Sequence, residues 1–82
     1  MDEKKLTQQV IEVIADTLSV KKEAIGEDTN LVEELGVDSL DMVDLILAME
    51  QEFGIEIKDE DITPDIKTVR DIVALLGKYL KF

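Results

Sequence analysis

The sequence predicts an all-α domain, and three observations carry that expectation. Apolar residues recur at helical spacing in three separate stretches. Only four glycines and one proline punctuate the chain. The one alternating run, Ile55-Glu56-Ile57, is too short to support a sheet and has nothing to pair with. No linker or repeat divides the chain, so residues 1–82 are expected to form a single domain with a radius of gyration of roughly 12 Å. A domain of this size buries only about 60% of the surface it exposes when unfolded, which demands a simple core.

The first helix is expected near residues 4–18, where Leu6, Val10, Val13, Ile14 and Leu18 fall on one face. From Ser19 to Val37 the pattern breaks. Ile25, Leu31, Val32 and Leu35 are spaced through polar residues, which reads as a long loop pinned to the core by those side chains. One helical turn in it would be ended by Gly36. A central helix should start at Asp38, whose carboxylate can accept from the free N–H groups of the first turn, and stop before Gly54. A short helical turn fits Asp59 to Ile62, with Pro64 limiting its extension. The last helix carries Val69, Ile72, Val73, Leu76 and Leu80 on one face, and Thr68 with Asp71 forms a capping-box pattern at its start.

Composition excludes several chemistries. Without cysteine or histidine there are no disulfides, no Cys/His zinc sites, no cysteine nucleophile and no serine–histidine triad. A net charge of −11 repels phosphate backbones, so nucleic acid is not an expected partner. The N-terminal residues run into an amphipathic stretch with no signal peptide or membrane span, so a cytoplasmic chain without membrane insertion is expected.

The excess charge is concentrated. Between Glu23 and Ile57 there are eleven acids and no bases, whereas the rest of the chain holds nine of each. Solubility accounts for an acidic total but poorly for its confinement. A partner with a basic surface accounts for both, because a concentrated field steers encounter.

The central helix has two apolar stripes. With successive residues about 100° apart, Met42, Leu45, Ile46, Met49 and Phe53 form a core-facing arc. Leu40, Val43 and Leu47 form a second stripe, flanked by Asp44, Gln51 and Glu50, with Asp41 further round. Two neighbouring helices could cover both stripes. The flanking carboxylates favour a docking surface instead, since they would be poorly placed in a core.

Ser39, one of two serines, stands at the foot of that second stripe. It is no nucleophilic catalyst, because no histidine can take its proton and neighbouring carboxylates disfavour an alkoxide. A helix start can nevertheless stabilise a phosphate there.

The run Leu35-Gly36-Val37-Asp38-Ser39-Leu40-Asp41-Met42-Val43-Asp44-Leu45 resembles the phosphopantetheine attachment region of acyl carrier proteins. Asn30-Leu31-Val32-Glu33-Glu34-Leu35-Gly36 before it and Glu50-Gln51-Glu52-Phe53-Gly54-Ile55-Glu56-Ile57 after it extend the likeness over nearly the whole chain. The resemblance implies a small four-helix bundle of three longer helices and one short one, the short helix third, with a long loop between helices 1 and 2. It implies 4′-phosphopantetheine, covalently attached to Ser39 by a phosphopantetheinyl transferase from coenzyme A. The thiol absent from the chain would come from that arm, and the protein would be a carrier and not an enzyme, working as a monomer. Asp38, Asp41, Asp44 and Glu50 match the family's contacts with basic patches on synthases and transferases. Leu40, Val43 and Leu47 match its apolar contacts, and Met49, Phe53, Ile57 and Ile66 match positions lining the acyl chain.

Val37, Asp44, Lys58 and Thr63-Pro64-Asp65 depart from the common pattern. They leave a specialised polyketide or other acyl pathway open beside fatty-acid biosynthesis. An acidic helical adaptor without a prosthetic group uses the same striped helix, and phosphorylation would use the same serine. A calcium loop through Asp59, Asp61 and Asp65 fails on spacing, because Pro64 stands where glycine is needed and Arg70 where glutamate is.

Overall fold

Helix α1 (Glu3–Leu18) starts where the Asp2 carboxylate accepts the N–H of Lys5 at 2.8 Å. It ends where Ser19 enters the left-handed region at φ 58°. The structure is a computed structural model and describes residues 2–80. A 3-10 turn (Lys22–Ala24) follows, then α2 (Leu31–Leu35), α3 (Ser39–Phe53), a second 3-10 turn (Asp59–Asp61) and α4 (Val69–Leu80). The protein is thus all-α, a small four-helix bundle, with no strand among the described residues.

Two expectations change in detail. The helical turn after the central helix is a 3-10 turn at Asp59–Asp61, and the short α-helix is α2, inside the long loop. Asn30 explains α2: its Oδ1 accepts from the N–H groups of Val32 and Glu33, and Glu34 returns a carboxylate to the Asn30 N–H. Gly36, at φ 69°, closes the turn as its pattern predicts. Val32 does not help pin this segment to the core. It follows buried Leu31 by about 100° around the same turn and is left 46% exposed, whereas Ile25 and Leu31 are buried.

Helix α1 packs against both α3 and α4. Leu6, Val10 and Ile14 meet Leu45 and Met49 of α3 and Val69, Ile72 and Leu76 of α4 in one core, joined by Leu31 from α2. The Cα radius of gyration is 11.5 Å, close to the expected value.

The start of α4 is stitched to the long loop. The N–H of Leu31 donates to the Lys67 carbonyl at 2.7 Å, and that of Arg70 to the Glu27 carbonyl at 2.9 Å. The Arg70 guanidinium also reaches Asp28 and Glu27, each at 3.0 Å. Thr68 and Asp71 form the reciprocal cap expected of them: the Thr68 N–H donates to the Asp71 carboxylate and the Asp71 N–H to the Thr68 hydroxyl.

Candidate functional site at the start of helix α3

Ser39 is the first helical residue of α3, and its position is fixed from both sides. Val37 is buried and its N–H donates to the Leu31 carbonyl at 3.0 Å, anchoring the approach. Asp38 accepts the Asp41 N–H at 2.8 Å, and Asp41 accepts the Asp38 N–H at 3.4 Å. This capping box holds the first turn while leaving Ser39 exposed.

Beside Ser39 a cleft of about 480 Å³ opens between α2, the start of α3 and the approach to α4. Val32, Val37, Met42, Ile62, Pro64 and Ile66 supply its apolar lining. A second, more enclosed cavity of about 150 Å³ lies on the inner side of residues 57–62, against α3, and opens to solvent beside Val43 and Leu47. Met42, Val43, Ile46, Leu47, Glu50, Ile57, Asp59 and Ile62 line it. Met42 and Ile62 belong to both, so the two spaces adjoin at that pair.

Of the positions expected to line an acyl chain, Ile57 faces the inner cavity and Ile66 the outer cleft. Met49 and Phe53 line neither. Met49 lies at the middle of the core arc and is fully buried, and Phe53 packs half-buried against that core. Periodicity placed them on the inward face but could not separate core from cavity wall. Met42 shares the arc of the core residues and Ile62 comes from a segment without helical period, so no sequence pattern marks either as cavity wall.

The second stripe of α3 is open. Leu40, Val43 and Leu47 are 77%, 55% and 50% exposed. No neighbouring helix covers them, which removes the reading that both stripes are core. Asp38 and Asp44 are exposed beside them and Asp41 is half-buried. Glu50 is different: it is half-buried, and its Oε2 accepts the Ile57 N–H at 2.8 Å.

A family model described as "Phosphopantetheine attachment site" matches residues 8–76. An acyl carrier protein of Syntrophobacter fumaroxidans is 44% identical over 78 residues, covering 95% of each chain. The chain belongs to the acyl carrier protein family. Another relative, the acyl carrier protein of Coprothermobacter proteolyticus, is 42% identical over 98% of this chain and 96% of its own. Among solved structures, the solution structure of an acyl carrier protein candidate from Anaplasma phagocytophilum superposes with a TM-score of 0.78. It shares 34% identity and covers 96% of this chain and 92% of its own.

Acyl carrier proteins are carriers and catalyse nothing themselves, and their cofactor is covalently attached 4′-phosphopantetheine. They interact with synthases and transferases. No helix among the described residues is long and apolar enough to cross a membrane.

Proposed function

We propose that this chain carries acyl groups as thioesters on a 4′-phosphopantetheine arm attached to Ser39, and that it serves fatty-acid biosynthesis in the cytoplasm as a monomer. The observation that carries this reading is the exposed Ser39 on an apolar cleft that adjoins a second, more enclosed cavity. The residues fit such a group. The Ser39 hydroxyl is accessible for a phosphoester bond, whereas Ser19, the other serine, ends α1 and lines neither space.

The bound arm would supply a thiol, which the cysteine-free chain lacks. The chain's own residues do the rest. Asp38 accepts the Asp41 N–H through Oδ1 and so fixes the turn that presents the serine. The chain has no histidine, and the reading assigns the base that accepts the serine proton to the transferase. In that transfer the Ser39 oxygen gains the bond to phosphorus, the pyrophosphate link of coenzyme A breaks, and the nucleotide bisphosphate leaves. Val32, Val37, Met42 and Ile66 offer an apolar path away from water, and Ile46 and Ile57 offer shelter for the tail.

Leu40, Val43 and Leu47 form the apolar centre of a docking face, with Asp38, Asp41 and Asp44 as its acidic rim. Basic patches on synthases and transferases complement that rim. Glu50 contributes less, because one of its oxygens is engaged with Ile57.

The test is an intact mass after incubation with coenzyme A and a broad-specificity phosphopantetheinyl transferase, with Ser39→Ala alongside. Addition of one phosphopantetheine to the wild type alone is the expected result. No addition to a folded wild-type protein overturns the assignment. Competition between purified fatty-acid and polyketide synthases for the loaded protein then tests the pathway.

A further inference from the structure

The inner cavity has one wall that is not helix. Residues 57–62 close it opposite α3, and within them only Asp59–Asp61 forms a 3-10 turn. A wall without a continuous helical ladder is held by whatever side chains reach it. Three do so from outside the segment. Glu50 of α3 takes the N–H of Ile57 at its near end. Tyr79, in the last turn of α4, takes the rest: its hydroxyl accepts the Lys58 N–H at 3.0 Å and donates to the Asp61 carboxylate. Lys78 adds its ammonium 3.6 Å from the same carboxylate. Ile57 and Ile62, which line the cavity, sit immediately outside the two residues that Tyr79 holds.

Size gives this clasp a consequence. The cavity measures about 150 Å³, a volume that in an apolar protein interior accepts a six-carbon ring. Longer chains need more room. The other side of the cavity is α3, which presents Met42, Val43, Ile46, Leu47 and Glu50 to it and is held in the core on its far face by Leu45 and Met49. The wall of residues 57–62 is therefore the side that can yield, and the contacts tying it to α4 resist its displacement.

Resting on the carrier reading above, we propose that Tyr79 is a specificity-determining positioning residue: its hydroxyl clasps Lys58 and Asp61, holds the cavity wall against α4, and so limits the length of acyl chain the protein shelters. The hydrogen bond between Tyr79 and Asp61 moves the pKa values of the two groups apart. The Tyr79 hydroxyl holds the Asp61 carboxyl below its ordinary range, and the carboxylate pushes the Tyr79 phenol up.

The experiment loads the full chain with butanoyl, octanoyl and dodecanoyl phosphopantetheine, with loading checked by intact mass, and compares wild type with Tyr79→Phe. The melting temperature of each loaded form is read against its unacylated counterpart, and amide exchange is followed at residues 58–62. Tyr79→Phe keeps the ring and removes both hydrogen bonds. It should release protection at residues 58–62 and move the greatest acyl-induced gain to the longer chains. The dodecanoyl form should gain about 4 °C relative to wild type. Asp61→Ala, which cuts the clasp from the other side, should shift the length dependence in the same direction.

An unchanged length dependence in both variants, with loading confirmed, overturns the role of Tyr79 and leaves the carrier reading standing. Failure of wild type to load overturns the carrier reading and this inference with it.

Discussion

The Glu50 carboxylate accepts the backbone N–H of Ile57, seven residues further along the chain, at 2.8 Å. The carbonyl of the same residue accepts the N–H groups of Gly54 and Ile55, so Glu50 closes the end of α3 with its main chain and its side chain. Gly54 makes the reversal possible by adopting φ 64°, a conformation that a residue with a Cβ rarely tolerates. Ile57 is thereby set into the wall of the inner cavity.

Glu50→Ala should accordingly destabilise the fold, because it leaves the N–H of buried Ile57 without its partner. The expected loss is about 1–2 kcal/mol, or a fall in melting temperature of about 4–8 °C per kcal/mol in a domain of this size. Glu50→Gln keeps an acceptor and should lose less than half as much. Thermal unfolding followed by circular dichroism separates the two, and an equal loss would count against the hydrogen bond as the cause.

Asp38 divides the same way between stability and docking. Asp38→Asn keeps a capping oxygen, whereas Asp38→Ala removes it at about 1 kcal/mol. The stability loss should appear in the alanine variant alone. Both substitutions remove a rim charge, so both should slow modification by the transferase in a salt-sensitive manner. Rates measured at two ionic strengths test this, and a normal rate for Asp38→Asn would remove Asp38 from the docking rim.

Asp71 links stability to acid. Its carboxyl is held below the ordinary value of 3.8, first by the N–H of Lys67 and then by the N–H and hydroxyl of Thr68. A carboxyl with a lowered folded pKa contributes stability above its unfolded pKa and loses it as pH falls through the folded one. The stability gap between wild type and Asp71→Asn should therefore be widest at neutral pH and narrow progressively below about pH 4. Urea unfolding at neutral and acidic pH measures the gap, and a gap independent of pH would exclude the carboxylate as its source.

How far the sequence foretells these contacts depends on their range. The start of α3 at Asp38, its stop before Gly54 and the Thr68–Asp71 cap all involve residues within one turn, and all are legible as local patterns. The two stripes of α3 are equally legible, because helical periodicity alone separates Leu45 and Met49 from Leu40 and Leu47. The cavity is not. Its wall is placed by Glu50 reaching Ile57 and Tyr79 reaching back to Lys58 and Asp61, contacts between segments that no local pattern connects. For the same reason Val32 was expected in the core: the loop pattern shows that it is apolar, and only the Asn30 cap fixes which side of α2 it takes.

Added salt should raise the melting temperature. Eleven acids without a base lie between Glu23 and Ile57, and the folded chain brings them closer than the unfolded one does. Screening over about 10 Å at 0.1 M salt weakens that repulsion. It also weakens the exposed pairs of Arg70 with Glu27 and Asp28, but solvent-exposed pairs of this kind contribute little. The net charge of −11 makes repulsion the larger effect. A melting temperature that stays flat or falls between low and moderate salt would reverse that ranking.

The open stripe of α3 should separate function from folding most cleanly. Leu40 and Val43 keep 77% and 55% of their surface exposed in the free protein. Truncating either removes little core contact, so Leu40→Ala and Val43→Ala should change stability by no more than about 0.5 kcal/mol. At a partner surface the same side chains become buried at the centre of the contact, where losing an apolar anchor costs more than about 1 kcal/mol. Transfer by a partner enzyme at subsaturating carrier should then fall by about tenfold for each 1.4 kcal/mol lost. Asp44→Lys should act on the same assay through slower association, with a deficit that grows at low salt where its repulsion of a basic patch is unscreened. Variants that unfold as readily as they lose transfer would show the stripe to be structural, and the docking face would have to lie elsewhere on the molecule.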